Sequence, residues 1–419
     1  MNSMRRIETV IIGAGQAGLG TSYFLKQHGR EHVVLEQAAV PGNVWVNQRW
    51  DSFTLVTPNW AFRLPGAEYD EDDPHGFMPR EKVIENFKSY VSRYQLPVQY
   101  NTRVIGVESL DGRGYRVQTA ESTIRADHVV IATGFFQKPK IPASAKALSP
   151  EITQLPSTQY RNPRSLPAGA VLVVGSGQTG CQIAEELYKS GRKVFLCTGG
   201  AGRAPRRYRG KDIIEWLELS GFFNRTPDML PPGMGKFKGI PHLSGANGGH
   251  TLNLHQFARD GVALLGHFAG ASDFNIFAAP DLYENLTIAD QFELEGCKMI
   301  DEFIEAKGLN SPPEVLPQLR DGFRQPIIEA LDCRSSGIST VIWAMGYSFD
   351  YNFIRLPVRD ADGFPIQNHG VANHPGLYFV GIPWMPSEKS GSLFGFGEIC
   401  KHVASIIARD AERQLSKGT

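Results

Sequence analysis

This chain of 419 residues predicts an α/β fold made of two Rossmann-like dinucleotide-binding units, the second inserted into a discontinuous first. Three observations carry that reading. The glycine fingerprint Gly13-Ala14-Gly15-Gln16-Ala17-Gly18 follows the apolar run Val10-Ile11-Ile12. A second fingerprint, Gly175-Ser176-Gly177-Gln178-Thr179-Gly180, follows Leu172-Val173-Val174. Two further apolar runs end at glycine, Val129-Val130-Ile131-Ala132-Thr133-Gly134 and Val341-Ile342-Trp343-Ala344-Met345-Gly346-Tyr347, as expected where a chain leaves one nucleotide unit and later returns to it.

Each fingerprint joins a strand to a helix. Its glycines permit a tight turn and a close approach of backbone to a pyrophosphate, which the helix N-terminus faces. Gly29 and Gly191 sit at the same offset in the two copies and end each helix as left-handed caps. A second strand follows each, at residues 32–36 and 193–197. The copies differ at its end. Glu36, with Gln37 after it, offers a carboxylate to a ribose diol, which suits FAD or NAD and repels a 2'-phosphate. The matching residue in the second copy is Thr198, followed by Arg203, Arg206, Arg207, Arg209 and Lys211. Guanidinium forks pair with phosphate oxygens, so this site is expected to take NADPH; the alternative is a solvated charged loop.

Between and after these units the patterns are weaker. Residues 41–79 are rich in Trp, Pro, Gly and Asp and read as a loop over a cofactor. An apolar stripe of Val83, Ile84, Phe87, Tyr90 and Val91 predicts a helix over about 80–94, and 104–131 reads as short strands with Asp111-Gly112 as a turn. Pro139, Pro142, Pro150, Pro156, Pro163 and Pro167 mark a stiff connector. Residues 213–326, with Phe222-Phe223, Pro231-Pro232-Gly233, Gly248-Gly249 and a helix over about 288–307, read as an insertion that builds part of a substrate pocket. Leu377-Tyr378-Phe379-Val380-Gly381 is a final strand. Gly391, Gly395 and Gly397 then open a terminal helix with Ile399, Val403, Ile406 and Ile407 on one face. The expected division is 1–163 and 348–419 for the FAD unit, and 164–347 for the NADPH unit.

Composition narrows the class. Forty-three basic residues balance 43 acidic ones, so there is no electrostatic reason to expect nucleic acid or an anionic membrane as partner. Five dispersed cysteines without C-x-x-C spacing support neither a disulfide framework nor a zinc site, and no metal is expected. A reducing, cytoplasmic setting is the default. The start Met1-Asn2-Ser3-Met4-Arg5-Arg6 followed by Val10-Ile11-Ile12 reads as strand one rather than as a signal peptide, because its apolar stretch is short and runs into the fingerprint.

Together the fingerprints, Ala132-Thr133-Gly134, its echo Ala344-Met345-Gly346-Tyr347 and the Gly42-x-x-Trp45 loop resemble the flavin-containing monooxygenases over nearly the whole chain, and most of all the single-component bacterial and plant members. The resemblance implies FAD on the first fingerprint and NADPH on the second. NADPH would reduce the flavin, O2 would add at flavin C4a, and one oxygen atom would pass to an amine nitrogen, a sulfur or a carbonyl carbon. Two departures matter. The family's linker motif is degraded, with Pro156 at its histidine position and Tyr160 kept at its end, and the loop after Trp45 lacks the Tyr-Pro-Gly run of Baeyer-Villiger relatives. Oxygenation of a heteroatom is therefore favoured over ester formation.

The resemblance also nominates side chains. Asn59 is the nearest match to an active-site asparagine, and Trp45 is an aromatic neighbour for the flavin or plain loop packing. Gly42, Val44, Arg49 and Thr57 are candidates for the flavin's polar edge, with Asp51 and Ser52 equally explained as turn residues. Arg103-Val104 is placed at the adenine, and Gly381, Ser392 and Leu393 at the flavin near the last helix. His250 and His255 read as surface groups or parts of a lid, and Glu388 with Lys389 as a local ion pair. Partners are O2 and a small substrate, with the oligomeric state open. Two other readings remain, a flavin-dependent NAD(P)H reductase or oxidase, and a non-catalytic flavoprotein that senses redox state.

Overall fold

The computed structural model describes residues 5–110, 114–230 and 241–415. Asp111-Gly112 and Pro231-Pro232-Gly233 lie outside the described residues, as do residues 1–4. Two sheets organise the chain, the first a mixed sheet of nine strands with a parallel centre and the second parallel throughout. In the first, strands run in the order Leu377–Phe379, Thr123–Ile131, Arg5–Ile12, His32–Leu35 and Val98–Gln99, each parallel to its neighbour. In the second the order is Thr153–Pro156, Ile338–Trp343, Ala170–Val174, Val194–Cys197 and Ala263–Leu265, again all parallel. Each fingerprint strand therefore lies between its own second strand and a strand that ends in glycine. Residues 9–12 and 170–174, which run into the two fingerprints, are wholly buried, as parallel strands covered on both faces must be.

Helices Gln16–Gln27 and Gln178–Lys189 follow the two fingerprint strands. Both stop the same way. Gly29 and Gly191 adopt φ of +62° and +87°, and the amides beyond them, of Arg30 and Arg192, return to the carbonyls of Leu25 and Leu187. The stripe at 80–94 forms helix Arg80–Tyr94 with Val83, Phe87 and Tyr90 buried. The terminal helix Phe396–Leu415 buries Ile399, Val403 and Ile407. The predicted helix over 288–307 starts a turn and a half earlier, at Leu282, and ends at Lys307 before the left-handed Gly308.

The proline-rich connector is more structured than its composition suggests. Lys138–Pro139 pairs antiparallel with Tyr347–Ser348, so the outgoing and returning chains form one ribbon between the sheets. Thr153–Pro156 is the edge strand of the second sheet, ahead of the expected boundary at 163/164. Pro156 is admissible there because an edge strand leaves one side of its backbone unpaired. Residues 41–79 likewise contain a short helix Asn43–Asn47, a 3-10 turn Asn59–Ala61 and a small hairpin of Arg63–Leu64 with Ala67–Glu68.

One polar clamp ties connector, loop and second fingerprint helix together. The hydroxyls of Tyr160 and Ser52 each donate to Glu186, both at 2.6 Å. Tyr160 is fully buried, so its hydroxyl depends on that carboxylate. Tyr160→Phe is expected to cost about 1.5–3 kcal/mol, the range for a hydrogen bond to a charged group, read from urea unfolding. An unchanged midpoint would show that the clamp contributes nothing.

Candidate functional site

The two fingerprint turns use their glycines for two different purposes. A Cβ on Gly13 would fall 2.6 Å from the carbonyl oxygen of Ala132, and one on Gly175 would fall 2.6 Å from that of Ala344. Both residues also hold φ above +100°. A Cβ on Gly18 or Gly180 would overlap the carbonyl of Gly13 or Gly175. These four are packing glycines. Gly15 and Gly177 are different, since a Cβ there meets nothing within 4 Å. At both middle positions space is held open in front of a helix N-terminus, where a pyrophosphate would lie against backbone amides. The residues fit a dinucleotide at each turn.

The second strands end in unlike ways. Glu36 is 5% exposed, and its two oxygens accept from the amides of Ala14 (2.8 Å) and Ala38 (2.9 Å). Burial raises its pKa and these amides oppose the rise. The carboxylate is thus oriented from below, with lone pairs left for a ribose diol. Exposed Gln37 follows it, and the Thr102 amide donates to the Glu36 carbonyl, which brings Arg103 and Val104 alongside. Thr198 is turned inward. Its hydroxyl donates to the Leu265 carbonyl and accepts from Asn285. Asp281, paired with His267, completes that cluster.

The arginine run divides, and two of its members need correction. Arg203 is 4% exposed and forms ion pairs with Asp290 and Glu293, both at 2.7 Å. Arg206 is 2% exposed, pairs with Asp212, and donates to the Val56 carbonyl. Their guanidinium groups are committed to internal acceptors and present no free fork to a phosphate. Arg207 is exposed, and its guanidinium donates to the carbonyls of Gly248 and Gly249. Arg209 pairs with Asp301, and Lys211 with Glu215.

A second group of predicted residues converges beside the first turn. Left-handed Gly42 caps the helix that carries Val44 and Trp45, and its amide donates to the Ala14 carbonyl. Gln16 reaches the Gly391 carbonyl, and a Cβ on Gly381 would overlap Ala17, so the last loop is drawn onto the fingerprint helix. Ser392 and Leu393 follow, leading into the terminal helix. Trp45 packs on Phe53, and Arg49 lies among rings. Thr57 is half-buried. Asn59 is buried; its Nδ2 donates to the Asp73 carbonyl while Oδ1 has no partner among the described residues. From the exit strands, Thr133 and Gly134 accept from Gln137, Ala344 is buried, and Met345 and Gly346 are exposed.

Several readings change. His255 is no surface group: it is wholly buried, accepts from the Gly322 amide and faces Asp290. His250 pairs with Glu185. Glu388 and Lys389 do not pair with each other but with Arg225 and Glu398. One contributor carries no sequence signal. His242, wholly buried, sets its Nε2 against the Ser176 carbonyl beneath the second turn, and desolvation lowers its pKa to about 4. Only the fold brings residue 242 to residue 176.

A family model described as pyridine nucleotide-disulphide oxidoreductase matches residues 10–218, which include both turns. A CzcO-like oxidoreductase of Geobacillus kaustophilus is 30% identical over 403 residues, covering 96% of this chain and 98% of that protein. A probable indole-3-pyruvate monooxygenase of Arabidopsis thaliana is 29% identical over 216 residues, covering 49% and 54%. The solved flavin-containing monooxygenase from Stenotrophomonas maltophilia has a TM-score of 0.66 at 19% identity, covering 97% of this chain and all of that one.

Two predictions follow from this geometry. Gly15→Ala should leave the stability of the flavin-free protein unchanged yet lose FAD, whereas Gly18→Ala should cost about 1–3 kcal/mol by overpacking before any ligand is added. Urea unfolding and the flavin absorbance of the purified variants separate the two, and a fully yellow Gly15→Ala protein would refute the cradle. The unfolded chain protonates His242 near pH 6.5 while the fold resists until about pH 4. Its contribution is complete above pH 6.5 and declines as pH falls toward 4. Lowering pH from 7 to 5 should therefore remove about 2 kcal/mol through this one group. A His242 imidazole resonance that titrates normally in the folded protein would contradict that.

Proposed function

We propose that the chain, which belongs to the same family as the CzcO-like oxidoreductases, is an NADPH-dependent FAD monooxygenase acting on a small nucleophilic substrate. The substrate would offer an amine nitrogen, a sulfur or the carbonyl of a 2-oxo acid. The observation that carries the reading is the pair of open turns, Gly15 and Gly177, with unequal strand ends behind them. In this reading each turn takes one nucleotide, and at the first the carboxylate of Glu36, oriented by the Ala14 amide, holds a ribose.

FAD, when bound, supplies the electron pair that lets one oxygen atom of O2 enter substrate while the other leaves as water. The chain's own part is to bind, orient and keep water out. Gly13 and Gly18 shape the first turn, Glu36 holds a ribose, and Gly42 docks the Trp45 loop on that turn. Asn59, with an unpartnered buried oxygen, can accept one proton-bearing group from a ligand. For NADPH, exposed Arg207 is the remaining guanidinium of the predicted set that could meet a phosphate.

The cysteines weigh against a thiol-based reductase. Cys181, Cys197, Cys333 and Cys400 are buried and unpaired, and desolvation raises the pKa of each. They stay as inert thiols. The deciding experiment supplies purified protein with FAD, NADPH and O2 and a panel of amines, thiols and 2-oxo acids. One oxygenated product per NADPH consumed is expected for the true class. NADPH consumption that yields only H2O2 with every member would favour an oxidase, and no consumption at all would favour a redox sensor.

A further inference from the structure

The second strand of the second unit ends without a polar side chain to offer a ligand. Thr198 turns its hydroxyl inward, and the chain continues through Gly199, Gly200, Ala201 and Gly202. The Gly199 amide donates to the Ser176 hydroxyl at 3.0 Å, so this loop is fastened to the fingerprint turn that holds space open at Gly177. In a unit of this kind the adenosine ribose lies at the end of the second strand, where an acid reads its hydroxyl or a cation reads its 2'-phosphate. Of the cations that follow, Arg203 and Arg206 are buried in ion pairs, and Arg207 is turned to the Gly248 and Gly249 carbonyls. A reader for the ribose has to come from another element.

Two elements reach the loop. His267 leaves the neighbouring strand Ala263–Leu265, and a Cβ on Gly199 would stand 3.3 Å from its Nε2. Its Nδ1 lies 2.6 Å from Asp281 Oδ2, and its backbone amide donates to Asp281 Oδ1 at 2.8 Å. The ring is thus held at one nitrogen by a carboxylate, while Nε2 has no hydrogen-bond partner among the described residues. His267 is exposed, so that nitrogen is open to a ligand. The long helix Leu282–Lys307 supplies the second contribution. The Phe292 ring lies on Gly202, where a Cβ would fall 2.3 Å from it, and Ile288 comes within 3.9 Å of a Cβ on Gly200. Phe292 is nevertheless 43% exposed and Ile288 38%, which leaves an apolar surface beside the loop for a flat base to cover.

We propose that His267 reads the 2'-position of the second nucleotide, donating from Nε2 to the 2'-phosphate of NADPH, and that Phe292 with Ile288 carries its adenine. The assignment rests on the NADPH reading, which supplies the ligand. An imidazolium donates from both nitrogens at once, here to Asp281 on one side and to a phosphate oxygen on the other. Asp281 is a positioning residue: both its oxygens are engaged by His267, and Asn285 shares Oδ1 at 3.2 Å. A plain 2'-hydroxyl offers Nε2 only a neutral contact, so the preference for NADPH over NADH resides largely in one side chain.

Calorimetry on FAD-loaded protein with adenosine 2',5'-bisphosphate and adenosine 5'-monophosphate, which differ only in the 2'-phosphate, tests this. Wild type should hold the bisphosphate at least tenfold more tightly. His267→Ala should weaken the bisphosphate by about ten- to hundredfold, the scale of a charge-assisted hydrogen bond, and leave the monophosphate nearly unchanged. Phe292→Ala should weaken both ligands alike, by about five- to hundredfold, the scale of a base stacked on an aromatic ring, and preserve their ratio. Equal affinities in wild type, or binding of neither ligand, would overturn the assignment together with the NADPH reading. A tight bisphosphate that His267→Ala leaves untouched, or a ratio that collapses in Arg207→Ala instead, would overturn the assignment alone. Absence of oxygenated product defeats the monooxygenase reading separately, since these affinities need no turnover.

Discussion

The close approach of helix to turn inside each fingerprint is the constraint on which the architecture depends. A methyl at Gly18 or Gly180 would overlap a carbonyl of the same turn, so nothing larger than glycine lets the helix start where it does. The carbonyls of Ala132 and Ala344 close over Gly13 and Gly175 in the same manner. Each glycine-ended strand must therefore finish directly against its fingerprint strand, which fixes the central order of both sheets. With the turn immobilised by packing, the open space at Gly15 and Gly177 faces outward in front of the helix, and the amides there are oriented before any ligand arrives.

From equal turns the two units diverge by what surrounds the second strand. Glu36 is supported by two amides and remains an acceptor for a ligand. At the second site the polar groups satisfy one another: Thr198 with Leu265 and Asn285, His267 with Asp281, Arg203 with Asp290 and Glu293. A buried charge must be paired, and here most pairing is internal to the segment between the fingerprint and the long helix Leu282–Lys307. That segment spends its arginines on its own architecture. Arg206 goes further, fastening the loop at Val56 to the insertion through its pair with Asp212.

Local rules made much of this legible from the amino acids. Fingerprint glycines, left-handed caps at Gly29 and Gly191 and the apolar stripe of Arg80–Tyr94 depend on neighbours in sequence, so pattern alone places them. What pattern missed depends on distant partners. Thr153–Pro156 looks like connector because its pairing partner, Ile338–Trp343, lies far along the chain. Arg203, Arg206 and His255 look exposed because a run of polar residues does not say which way each side chain turns. His242 and Glu186 had no signal at all, since each acts through a group on another element.

The ribbon of Lys138–Pro139 with Tyr347–Ser348 explains why the Arg49 recess lies where it does. Pro139 stands directly opposite Tyr347, and the Lys140 amide donates to the Gly346 carbonyl, so the ribbon sets the distance between the two exits. Phe136 is delivered by one exit and Tyr347 by the other, while Arg49 and Trp45 come from the loop docked on the first turn through Gly42. The recess is thus assembled from three pieces of chain that share no local sequence signal. The rings of Trp45, Phe53 and Phe136 surround the guanidinium in part and leave Arg49 half-buried. Arg49 takes this position against Trp45 and Phe136 only because the ribbon brings both exits together.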